Sequence, residues 1–100
     1  MLTLDEGTGD MTLDVDGDII LDADGGEIVL KDGGTAFGQF STAASKTNLT
    51  LYENAGASTD DYFSITVSTE GLTTLTTQDA SGMDADLKLD ADGQIFLDSV

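Results

Sequence analysis

The stretch Leu13-Asp14-Val15-Asp16-Gly17-Asp18-Ile19-Ile20-Leu21-Asp22-Ala23-Asp24-Gly25-Gly26-Glu27-Ile28-Val29-Leu30-Lys31 decides how the rest of the chain is read. Short apolar runs are separated by Asp-Gly steps, which supply the left-handed backbone conformations that tight turns require. Each run places two large apolar side chains at i and i+2, Ile19 with Leu21 and Ile28 with Leu30. In an extended strand these point to one face. The grammar is strand, turn, strand.

Outward from this stretch the unit recurs. Leu2-Thr3-Leu4-Asp5 and Met11-Thr12-Leu13-Asp14 precede it, and Leu87-Lys88-Leu89-Asp90 and Ile95-Phe96-Leu97-Asp98 follow near the C-terminus. The first four units are offset by 9, 8 and 9 residues and the last two by 8. The connectors Asp14-Val15-Asp16-Gly17, Asp22-Ala23-Asp24-Gly25 and Asp90-Ala91-Asp92-Gly93 share one form, with Asp32-Gly33-Gly34 as a variant. Between the repeats, Thr47–Tyr52, Tyr62–Val67 and Leu72–Thr77 are rich in Thr, Ile, Val and aromatics and predict further strands. Thr35–Ser45 and Asn54–Asp61 read as loops or irregular corners. The division is therefore 1–34 octad and nonad β-repeats, 35–61 irregular with one strand, 62–82 a Thr-rich β segment, and 83–100 octad repeats. With no Pro and no stretch at helical spacing, the class is all-β.

Composition narrows the function. Three basic residues face twenty acidic ones, a formal net charge of −17. Such a chain is repelled by phosphate backbones, so nucleic acid is excluded as a partner. The apolar content of 39% at regular spacing sets it apart from acidic disordered tails. Without Cys or His, zinc fingers, iron–sulfur or haem ligation, thiol catalysis and His-based triads are all excluded. No membrane-spanning stretch is present, and Met1-Leu2-Thr3-Leu4-Asp5-Glu6 does not read as a signal peptide. The expectation is a soluble product with no membrane insertion.

A unit of 8 or 9 residues cannot enclose a core alone. Either successive units of one chain wind into a solenoid, or one unit from each of several chains meets around a common axis. Both stack strands about 4.8 Å apart, so about ten strands make a shaft on the order of 50 Å long. The expected core pairs are Leu2 with Leu4, Met11 with Leu13, Ile19 with Leu21, Ile28 with Leu30, Leu49 with Leu51, Phe63 with Ile65, Leu87 with Leu89, and Ile95 with Leu97. Two per strand is a thin core for a lone chain. The predicted architecture is therefore a repetitive β-helix or β-solenoid shaft, as an intertwined homotrimer in preference to a single-chain solenoid. The repeat runs from Leu2 to Leu97 without a capping segment, which predicts a piece of a longer fibre or end-to-end stacking.

The run Leu13–Gly38, together with Asp61-Tyr62-Phe63-Ser64-Ile65-Thr66-Val67 and Gly71-Leu72-Thr73-Thr74-Leu75-Thr76-Thr77, resembles repeats of tail-fibre and other appendage proteins of marine tailed bacteriophages. The octad rhythm is also similar to triple-stranded β-helices of phage spikes, although the Val-x-Gly spacing of that family is not reproduced. The resemblance implies a virion structural role: a protease-resistant shaft in the tail appendage, made in the host cytoplasm without a signal peptide. Its implied partners are its own copies, other virion tail proteins and a host surface glycan.

The Asp-x-Asp-Gly turns are the only motif with chemical content. Carboxylates at short spacing suit Ca²⁺, which takes six to eight oxygens. The EF-hand pattern fails, because Gly17 falls at the fourth position from Asp14 and no Glu sits at the twelfth, and the Gly-Gly-x-Gly-x-Asp nonapeptide is absent. Asp14, Asp16, Asp22, Asp24, Asp90 and Asp92 are therefore expected to be solvated turn residues, with a Ca²⁺ site at these six as the alternative and no cofactor required. A catalytic carboxylate pair needs one acid in a desolvated cleft. These acids read as exposed, so no enzyme is expected. A calcium-loaded extracellular β-roll or adhesin repeat and a self-assembling β filament subunit are the rival readings. Tyr52 and Tyr62 are read as packing residues.

Overall fold

The computed structural model describes residues 7, 9–82 and 84–100; the expected pair Leu2 with Leu4 lies outside them. Five strands run in sequence order: β1 Glu27–Asp32, β2 Thr35–Ala43, β3 Lys46–Tyr52, β4 Tyr62–Val67 and β5 Thr73–Gln78. They form one antiparallel sheet with neighbours β1-β2-β3-β4-β5, open at both edges. Two single 3₁₀ turns, Glu53–Gly56 and Thr69–Gly71, are the only helical elements among the described residues. The all-β class stands.

Hairpin chemistry sets the meander. Asp32 pairs with Thr35 across Gly33 and Gly34, whose φ values of 55° and 88° are both positive. Two left-handed residues in a two-residue loop match the right-handed twist of the flanking strands, and glycine adopts them without steric cost. Ala43 pairs with Lys46 across a second two-residue loop with Ser45 at φ 63°. Asp24 and Gly25 occupy the centre of a turn closed by the Gly26 amide donating to the Ala23 carbonyl at 2.8 Å. The Asp-Gly steps are turns, as read.

The segment Thr35–Ser45, expected to be irregular, is instead mostly the longest strand of the sheet. Its alternation is masked because Gly38 stands at an inward position and Phe37 is the extra residue of a bulge, where the β1–β2 register slips between Leu30 and Lys31. Pairing partners rescue the strand: β2 is flanked on both sides by well-patterned neighbours.

Register sorts the side chains into two faces. Ile28, Phe40, Leu49, Ile65 and Leu75 stand opposite one another as one apolar row, and Leu30, Gly38, Leu51, Phe63 and Thr77 as the next. The expected pairs Ile28/Leu30, Leu49/Leu51 and Phe63/Ile65 thus share a face. Nothing covers it fully: among the described residues no apolar side chain is buried, and Phe40 and Leu75 are about half exposed, at 50% and 51%. The accessible surface of 8717 Å² far exceeds the roughly 5,400 Å² expected of a compact monomer of this mass. The radius of gyration, 17.2 Å, likewise exceeds the roughly 13 Å of a compact 100-residue domain.

The repeats at Met11/Leu13, Ile19/Leu21, Leu87/Leu89 and Ile95/Leu97 form no strands within the single chain. They make two arms flanking the sheet. Leu21 borders a cleft with Ile28 and Phe40, and Asp84–Asp86 passes Leu51 and Phe63, where the Thr77 hydroxyl donates to the Ala85 carbonyl at 2.7 Å. Beyond these touches the arms are exposed, with Ile20 at 81% and Leu97 at 92%. Their sequence carries strand pattern; their backbone lacks a neighbour in the same chain.

Candidate functional site

On the opposite face, the same register collects polar side chains. Alternation requires it: if Leu49 and Leu51 point one way, Asn48, Thr50 and Tyr52 point the other. From β2 come Gln39 and Ser41, and from β4 Tyr62, Ser64 and Thr66, each paired with a neighbour of the same character. Gln39 stands opposite Thr50, which stands opposite Ser64; Tyr52 stands opposite Tyr62. Together with Thr59 these residues line a trough of about 340 Å³.

Thr59 reaches the trough because of the loop joining β3 to β4. The Glu53 amide donates to the Asp61 carbonyl at 3.0 Å and closes the loop base. Asn54, Ala55 and Gly56 then run at φ 43°, 58° and 89°, three left-handed residues in succession. This corner folds the loop back onto β2, where a Cβ at Gly56 would overlap the Ala36 carbonyl. At the loop's far end, the Asp61 carboxylate accepts from the Ala80 amide at 2.6 Å and ties the start of the C-terminal arm to the sheet.

The polar face is well shielded for a face of hydroxyls. Ser64 is the one residue on it below a tenth exposed, at 8%, and Gln39, Asn48, Thr50, Tyr52 and Tyr62 are half-buried. The Thr66 hydroxyl donates to Asn48 Oδ1 at 2.9 Å. Among the described residues, the side chains of Gln39, Thr50, Tyr52, Tyr62 and Ser64 have no hydrogen-bond partner within the chain. No trough residue is charged. Strands β2 to β5 as a whole carry a single charged residue, Lys46.

The six aspartates singled out from sequence lie elsewhere. Asp14 and Asp16 are on the N-terminal arm, with Asp16-Gly17 at a bend; Asp22 and Asp24 lead into β1; Asp90 and Asp92 are on the C-terminal arm, with a bend at Asp92-Gly93. All six are exposed. Among the described residues, no three carboxylates come close enough together to hold a metal ion within one chain. Lys88 pairs with Asp90 at 3.2 Å, both side chains largely in solvent, where such a pair contributes little.

Sequence reading missed the trough, although half of it was in view. Asn48-x-Thr50-x-Tyr52 and Tyr62-x-Ser64-x-Thr66 are the polar halves of two alternating strands. Its third wall, Gln39 and Ser41, lay in the segment read as irregular. No protein-family model, curated protein or solved structure matches this chain.

Proposed function

We infer that the chain is a structural segment of a multi-chain β shaft, of the kind with which a phage tail fibre or similar virion appendage supports host attachment. The observation that carries this reading is the uncovered apolar face, because a sheet with two apolar rows and no covering layer is not a finished core. Copies of the same chain supply the missing layer, and a homotrimer closes three such faces around one axis. The two arms add independent support. Their i, i+2 apolar pairs are strand pattern without a strand partner, and unpaired backbone amides away from water carry a cost that inter-chain pairing removes. An uncharged outer edge on β5, all Thr and Leu up to Gln78, leaves one ladder open for such pairing. The role is mechanical, and the acids, spread over turns and arms, serve as solvated corners.

The test is the native mass in solution, by light scattering coupled to size exclusion, with and without chelator. A mass of three chains that survives chelation is the expected result. A monomer at micromolar concentration overturns the shaft, a mass that collapses on chelation favours the calcium-loaded β-roll, and a broad high-mass distribution favours an open filament.

A further inference from the structure

We propose that the trough on the polar face is a binding site for an uncharged saccharide. The carrying observation is unspent hydrogen-bonding capacity concentrated in one place: Gln39, Thr50, Tyr52, Tyr62 and Ser64 are half-buried or deeper, yet bond to no group of the chain among the described residues. Amides and hydroxyls each both donate and accept, which is the complement of a polyol, whose hydroxyls do the same. Ordered water occupies such a site until a ligand that reproduces its bonds displaces it. At one end the rings of Tyr52 and Tyr62 stand side by side across the β3–β4 ladder. An aromatic ring with a polar tip offers an apolar surface for the C–H face of a sugar and a hydroxyl for its rim. The volume of about 340 Å³ lies at the small end of the roughly 300–1,000 Å³ range of ligand clefts.

Charge selects among saccharides. Twenty acidic residues lie outside the trough and none within it, so the surrounding field of a −17 chain opposes anionic ligands while the lining itself is neutral. Phosphorylated and carboxylated ligands are disfavoured, since no cation in the trough would meet them. Neutral hexose or N-acetylhexosamine oligosaccharides are the class that fits. The site is complete within one chain and does not rest on the shaft reading.

The chain offers a built-in reporter, because Tyr52 and Tyr62 are its only two tyrosines and it has no Trp. Tyrosine emission of the full chain is followed during titration with maltotriose, mannotriose, triacetylchitotriose and lactose, with 3′-sialyllactose as the anionic comparison. The expected result is a saturable change with at least one neutral oligosaccharide and at least tenfold weaker response to 3′-sialyllactose. Thr50→Val keeps a β-branched side chain in the central strand and removes one hydroxyl; it weakens binding about fivefold with an unchanged circular-dichroism spectrum. Gln39→Ala has a similar effect. The proposal is overturned by no saturable change with any neutral saccharide, by an equal response to 3′-sialyllactose, or by wild-type affinity in both variants. Native mass measured on the same samples separates this failure from that of the shaft.

Discussion

Phe40→Ser tests whether the apolar face is the surface through which copies associate. Phe40 sits in the row Ile28, Phe40, Leu49, Ile65, Leu75, and half of its surface is open in the single chain. A Phe contributes about 150–250 Å², so covering the open half removes on the order of 100 Å² from water. At about 25 cal/mol per Å² this is worth ~2.5 kcal/mol per copy, and on side-chain transfer values about 1 kcal/mol. Three copies lose roughly 3 to 7 kcal/mol of association energy, which lowers the trimer association constant by roughly 10² to 10⁵. Within one chain the same substitution removes only the half already packed, about 1 kcal/mol of folding stability. The assay is sedimentation equilibrium across a hundredfold concentration range, with circular dichroism to verify the sheet. The expected outcome is a folded variant that has shifted toward monomer. A folded Phe40→Ser chain with the wild-type mass at every concentration refutes the reasoning, because the association surface then lies elsewhere.

Other perturbations address the arms, the corner and the charge. Hydrogen exchange of amides 11–22 and 86–100 is expected to be slow in the wild-type assembly and fast in Phe40→Ser; fast exchange in both shows that the arms do not pair between chains. Gly56→Ala is expected to lower the melting temperature well below that of Gly71→Ala, since both positions have positive φ but only Gly56 faces the Ala36 carbonyl, whereas Gly71 faces open space; the Gly71 substitution costs about 1 kcal/mol, and equal melts by circular dichroism count against the loop packing on β2. Raising salt from about 10 to about 150 mM shortens the screening length from about 30 to about 8 Å and is expected to favour association of chains that each carry −17, read by light scattering. A mass that falls with salt shows that ion pairs hold the copies together.

Local chemistry decided much of this molecule before any long-range contact was known. Apolar residues two apart fixed which side chains share a face in β1, β3 and β4, since strand alternation leaves no other choice. Asp-Gly and Gly-Gly steps marked the turns at Asp24-Gly25 and Gly33-Gly34, because few other residues adopt those dihedrals cheaply. The composition by itself confined charge to turns and arms. Tertiary structure decided three further matters. It made Thr35–Ala43 a strand, because pairing with β1 and β3 satisfies a backbone whose own pattern is blurred by Gly38 and the Phe37 bulge. It left Met11/Leu13, Ile19/Leu21, Leu87/Leu89 and Ile95/Leu97 without partners, because a strand needs a neighbour and pattern alone supplies none. It also joined Gln39, Asn48, Thr50, Tyr62 and Ser64 into one trough, since cross-strand register depends on hairpin lengths and on a bulge that no single strand reveals.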